Sequence, residues 1–148
     1  PLIRRLYCIF YEDISLANPN LGPRVKAACE AALELGMPEA VLPLSSIVVE
    51  MALSPKSNST YLAIHAAMKD IEEGRSGSLP LHLKNTFSFD PNQGSYKYPH
   101  DYPGAWVDQQ YLPDKIKNAK YWTAKPTSPY EETLKERYEA IEKAKKNK

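Results

Sequence analysis

Between Met51 and Asp70 the chain reads MALSPKSNSTYLAIHAAMKD, and this stretch limits the possible folds more than any other. Apolar residues at Ile47, Val48, Met51 and Ala52 stop at Ser54, and Leu62, Ile64, Ala66, Ala67, Met68 and Ile71 resume beyond it at roughly helical spacing. Pro55 disfavours helical geometry at Ser54, because its ring crowds the preceding backbone. Ser57 or Ser59 can accept hydrogen bonds from the free N–H groups that open the next helix. The stretch therefore predicts an αα-hairpin. Two helices with such apolar faces need partners to bury them.

The preceding residues supply those partners. Leu2, Ile3, Leu6, Tyr7, Ile9, Phe10 and Ile14 recur at three-and-four spacing, which predicts one amphipathic helix over residues 2–16, ended by Asn18-Pro19-Asn20. Pro23 stands where a first helical residue would, opening a second helix whose Ala27, Ala28, Ala31 and Ala32 allow close approach, and Gly36 closes it. Pro43 either starts the third helix or bends it, and residues 43–53 are its expected extent. The fourth is expected from about Ser57 to Glu73, before the flexible run Gly74-Arg75-Ser76-Gly77-Ser78. Residues 1–78 thus predict a compact antiparallel helical core and an all-α fold.

From 79 to 127 the character changes. Pro, Gly, Asn and aromatic residues crowd in, and no period survives except a possible short helix from Pro113 to Ala119. This reads as an irregular excursion pinned by its rings, since so many rings are costly to leave in water. Ser128-Pro129-Tyr130-Glu131 is a capping-box start for a C-terminal helix over 128–148. Its closing lysines suit the negative end of the helix dipole.

At 148 residues, 43% of them hydrophobic, the chain is expected to form a single globular domain. No apolar run approaches the ~20 residues of a bilayer span, so no membrane partner is expected. A net charge of +1 argues against a dedicated nucleic-acid binder driven by phosphate neutralisation. Cys8 and Cys29 lack paired spacing, which suits a reducing compartment and a cytoplasmic location. Pro1 opens what looks like the middle of a helix, and the expectation is a fragment of a longer protein.

Catalytic chemistry is hard to find. His65, His82 and His100 stand far apart without zinc-ligand spacing. Lys56-Ser57 ends like a phosphate-binding loop but lacks its glycines and does not follow a strand. Lys56 and Asn58 read better as turn-stabilising residues, and Arg4-Arg5 as a solvated helix face. No catalytic, cofactor-binding or metal-ligating residue is expected.

Several segments carry a resemblance. Tyr11-Glu12-Asp13-Ile14-Ser15-Leu16-Ala17-Asn18-Pro19, Ala52-Leu53-Ser54-Pro55-Lys56-Ser57-Asn58-Ser59, Leu81-His82-Leu83-Lys84-Asn85 and Tyr96-Lys97-Tyr98-Pro99-His100-Asp101 resemble the C-terminal region of the RarA/MgsA family. These are AAA+ ATPases of replication-associated recombination, with the Werner helicase-interacting protein among their eukaryotic relatives. The resemblance covers nearly the whole chain. It marks Glu12, Asp13, Pro55, Lys56, Ser57, Asn58, His82, Tyr98, Pro99 and His100 as family-motif residues of structural character. It further implies that the ATPase core and lid, with ATP and magnesium, lie upstream, and that this part is a clamp-loader-like collar joining subunits into a homotetramer. Thr86 to Ser95 departs from the family's longer, partly helical segment, so the contact made there is not carried over.

Two functions follow. The first is a tetramerisation domain of a DNA-dependent ATPase acting at stalled or gapped replication forks, its contact face expected between Ile47 and Met68. The alternative is a module that grips DNA or a single-strand-binding protein, with Tyr98 and Trp122 as stacking rings beside lysines. Because no phosphate-cradling loop is present, the 148-residue chain is expected neither to bind nor to hydrolyse ATP. Equilibrium dialysis with labelled ATP checks this, and saturable micromolar binding contradicts it.

Overall fold

The computed structural model describes residues 1–84 and 96–146, and among them every regular element is helical. The α-helices are α1 (Leu2–Ile9), α2 (Leu21–Leu35), α3 (Val41–Leu53), α4 (Ser59–Glu72) and α5 (Pro129–Lys146). The chain sorts into two compact units, Pro1–His65 with Tyr121–Lys148, and Ala66–Lys120.

The core of the first unit follows from spacing. Leu6, Phe10 and Ile14 recur every fourth residue, as do Leu21, Val25 and Cys29 on α2 and Ile47 and Met51 on α3, and all eight are buried in one cluster. Small side chains at Ala28 and Ala32 let α2 and α3 pack closely. Cys29 behaves as a small core hydrophobe: burial, and then the nearby Glu30 charge, push its thiol pKa up and keep it in the unreactive protonated form. Gly22 allows a close crossing, because a Cβ there would lie 3.0 Å from two ring carbons of Phe10.

The first helix departs from the expected single run over 2–16. After Ile9 it widens into a π-helical turn, Phe10–Ile14, and then a 3-10 turn, Ser15–Ala17. The reason is a competing bond. The Asp13 carbonyl accepts from the Ser57 N–H at 2.8 Å, while the Ser15 N–H reaches back five residues to Phe10. Ser15 absorbs the change with a positive φ of 40°.

Two helix starts also differ from expectation. α2 begins at Leu21 and α3 at Val41, so Pro23 and Pro43 are each the third helical residue. The first turn of a helix has no intrahelical use for its N–H groups, and proline is tolerated throughout it, so a proline marks a helix start only to within a residue or two. α4 begins at Ser59 rather than Ser57, and the expected helix at 113–119 is a 3-10 turn, Asp114–Ile116.

At the start of α5 the capping box is half formed. Ser128 Oγ accepts from the Glu131 N–H at 3.3 Å, but Glu131 Oε1 accepts from the Lys125 N–H at 2.9 Å instead of reaching back to Ser128. The carboxylate thereby pins the segment before α5, and the helix packs against Ser15–Ala17.

The second unit holds the end of α4, where Arg75 pairs with Asp70 and Glu73, followed by short 3-10 turns. Gln109 clamps the backbone of Lys97, accepting from its N–H at 3.1 Å and donating to its carbonyl at 2.8 Å. Val107 is buried. Beyond the end of α4, the described residues of this unit are irregular or in 3-10 turns, as the sequence led one to expect.

Gly22→Ala is expected to cost about 1–3 kcal/mol, the usual penalty of overpacking. Urea unfolding checks this. The double variant Phe10→Leu/Gly22→Ala should lose less than the sum of the two single variants, since the smaller side chain vacates the contact.

Candidate functional site

The turn between α3 and α4 collects most of the motif residues of the first unit. The Lys56 ammonium donates to the carbonyls of Met51 at 3.0 Å and Ala52 at 3.2 Å, and to that of Ser54. It caps the C-terminal end of α3, placing a cation where the helix dipole is negative. Ser54 Oγ donates to the Glu50 carbonyl at 2.9 Å and accepts from the Asn18 side chain at 3.1 Å. Ser57 is buried, its Oγ facing the N–H and hydroxyl of Ser59. Pro55 and Glu12 face solvent.

The segment before α5 closes over this turn. Lys125 donates to Asn58 Oδ1 at 2.7 Å, Thr127 Oγ1 to the Lys56 carbonyl at 2.8 Å, and the Trp122 indole N–H to Ser59 Oγ at 3.1 Å. The Trp122 ring also meets Tyr138 edge-on, centroids 5.6 Å apart. Asp13, Lys56, Ser57, Asn58 and Trp122 therefore meet in one knot, although 109 positions separate the first from the last. Glu131, fully buried with Oε2 unpartnered, anchors the closing segment. Sequence reading assigned Glu131 only to a capping box, and Lys125 and Thr127 to nothing; no local signal marks a partner so distant in the chain.

The other motif residues lie in the second unit. His82 Nε2 is 2.8 Å from the Gln110 carbonyl, and the Tyr98 ring leans on His100 at 5.1 Å. Pro99 opens the 3-10 turn Pro99–Asp101. Asn85 and the divergent stretch from Thr86 to Ser95 lie outside the described residues. Among the described residues no group of His, Cys, Asp and Glu could hold a metal ion, and no helix is long and apolar enough to cross a membrane.

What remains in the first unit is surface of an unusual kind. Along α3, Val41, Leu42, Val48, Val49 and Leu53 are 50%, 64%, 44%, 58% and 81% exposed. At 3.6 residues per turn Leu42, Val49 and Leu53 fall opposite the buried Ile47 and Met51, and Val41 and Val48 fall at the flank. The sole charged residue on α3 is Glu50, and it is drawn aside into an ion pair with Arg24 at 2.8 Å. Leu62 and Ile64 on α4 are also exposed. Ile47, taken from the sequence as one edge of the contact face, belongs to the core instead. Met51 does too, while Val48, Val49, Leu53, Leu62, Ile64 and Met68 of that stretch are exposed. A shallow groove of about 410 Å³ between the first helix and α2 is lined mainly by Tyr7, Phe10, Tyr11, Leu16, Pro19 and Pro23, with Lys26 among its lining residues.

Comparison with known proteins gives this arrangement a family. The chain is 47% identical to the replication-associated recombination protein A of Bacillus subtilis, aligned over 97% of this chain and 35% of that protein. It is 30% identical to the protein of the same name from Escherichia coli K12 over 80% of this chain and 28% of that one. The ATPase WRNIP1 of Dictyostelium discoideum matches at 31% identity over 86% of this chain and 15% of its own length. The chain thus spans about a third or less of these relatives. Residues 1–142 match the family described as MgsA AAA+ ATPase C terminal, and the chain belongs to that family, the C-terminal region of the RarA/MgsA proteins.

Proposed function

We propose that this chain is the homotetramerisation domain of a RarA/MgsA-like AAA+ ATPase that works on DNA at stalled or gapped replication forks. ATP and magnesium belong, on this reading, to the rest of that protein. The observation that carries it is the outward side of α3, which presents five large apolar side chains and no charge. Exposed apolar side chains in this number, interrupted only by the small Ser45 and Ser46, mark a site of association, and symmetric self-association is a common outlet for them. The motif residues fit as supports. Lys56, Ser57, Asn58 and Asp13 fix the end of α3 and the start of α4, which holds the apolar side chains in a defined array. DNA is then met through the assembled protein.

The alternative, contact with single-stranded DNA or a single-strand-binding protein, is favoured by the solvent-facing rings of Tyr96, Tyr98 and Tyr111. Trp122 supports the first reading better, since its N–H is held by Ser59 and its ring by Tyr138. Near-neutral charge predicts weak DNA affinity for the chain alone, around the ~10⁻⁴–10⁻⁶ M of non-specific binding, falling steeply with salt. Fluorescence anisotropy with a labelled single strand checks this. Nanomolar binding at physiological salt, lost in Tyr98→Ala, favours the alternative.

Self-association is tested by sedimentation equilibrium at tens of micromolar without nucleotide. The expected mass is four times that of the chain and unaffected by salt, because the contact is apolar. Val49→Asp, which puts a carboxylate in the middle of the exposed face, should lower it. A monomer at all concentrations overturns the proposal.

A further inference from the structure

We infer that the second unit opens and recloses as a cooperative part of its own while the first unit stays folded, and that the bonds joining Ser59 to Trp122 and Asn58 to Lys125 form the seam at which the opening stops. Local opening selects the parts of a fold with little buried apolar surface and with solvent-exposed hydrogen bonds. Among the described residues from Ala66 to Lys120, Val107 is the one buried side chain, and Met68, Ile71, Leu79 and Leu81 are exposed. The bonds within this unit are poorly sheltered. Gln109 clamps Lys97 at an exposed site, and His82 meets the Gln110 carbonyl at a partly buried one, so water competes for each. The first unit differs in kind: its eight core side chains are all at 4% exposure or less.

The seam follows from the path of the chain, which leaves the first unit after His65 and returns to it at Tyr121. Just outside these points the departing and returning segments are already bound to each other within the first unit. The Trp122 indole N–H donates to Ser59 Oγ at 3.1 Å and the Lys125 ammonium to Asn58 Oδ1 at 2.7 Å. Ser59 is 2% exposed, and the Trp122 ring is held edge-on by Tyr138. The long excursion is therefore closed inside the first unit, and the entropy of that closure is the same whether the second unit is open or shut. Opening of 66–84 and 96–120 breaks neither seam bond and removes no residue of the core cluster, all eight of which belong to the first unit. The 14-residue α4 crosses the boundary, and an isolated helix of about that length is marginal in water, so its turns beyond His65 open with the second unit.

Native-state hydrogen exchange tests this in the 148-residue chain, read by mass spectrometry in increasing urea below the unfolding transition. The hydrogen-bonded amides of 79–84 and 97–117 should exchange about a hundredfold faster or more than those of 24–33 in α2. Their rates should also depend less on urea, because a local opening exposes less surface than global unfolding. Val107→Ala should speed 79–84 and 97–117 by the same factor and leave 24–33 unchanged. Equal protection in the two units, or a Val107→Ala effect that spreads to 24–33, shows one cooperative fold and overturns the inference. An effect of Val107→Ala that leaves 79–84 unmoved overturns the second unit as a cooperative part. Two variants probe the seam: Trp122→Phe, which keeps a ring and removes the N–H, and Ser59→Ala, which removes the acceptor. Each should bring 121–127 into the fast set, and unchanged protection of 121–127 in both overturns the seam.

Discussion

The hydrogen bond from the Ser57 N–H to the Asp13 carbonyl is the contact on which the first unit depends. It takes a carbonyl that a continuing α-helix would use four residues later, and the first helix has no regular way on. The backbone responds with a π turn, a 3-10 turn and a positive φ at Ser15. Each deviation keeps Phe10 and Ile14 facing the core while the chain reverses toward α2. One tertiary bond is worth only about 0.5–1.5 kcal/mol net, less than its consequences for geometry suggest. It wins because it is not alone: Asn18 with Ser54 and Ser15 with Thr60 bind the same two segments.

Lys56 settles the other side of the turn. A helix ending at a residue before proline leaves carbonyls without donors, and here no glycine follows to form the usual left-handed cap. The ammonium supplies the donors, and the backbone carbonyl of the same residue accepts from Thr127 Oγ1. Charge, cap and tertiary contact are thus concentrated in one side chain. This explains why a Lys-Ser pair that superficially suggests phosphate is fully engaged by its own backbone.

How much of this was legible in the sequence depends on the range of the interaction. The turn between α3 and α4, the periodic core of the first three helices and the irregular character after Leu79 were readable, because spacing within one element reports which face is buried; the packing of α4 expected from its apolar spacing is not found, since Leu62, Ile64, Met68 and Ile71 are exposed. The break in the first helix was not, since its cause lies at Ser57, and neither were the partners of Trp122, Lys125 and Glu131. Trp122 read as a ring available for stacking because no local feature reveals that its N–H is committed to Ser59. The proline errors have a simpler origin: the first turn tolerates proline at any position, so Pro23 and Pro43 mark helix starts imprecisely.

The bonds of the knot reach beyond the core, tying the first helix, the turn after α3 and the segment before α5 together. The core itself is small, drawing eight buried side chains from three helical segments, and the bonds of the turn add little to its apolar burial. They fix instead the relation of α3 to α4, whose outward residues contribute nothing to the core. An apolar face exposed on a floating helix would associate without specificity. Held by Lys56 at one end and by the α2 packing along its length, the face of α3 keeps one shape. The self-association proposed for this chain depends on that constancy, since every misplacement in one copy is repeated in the other.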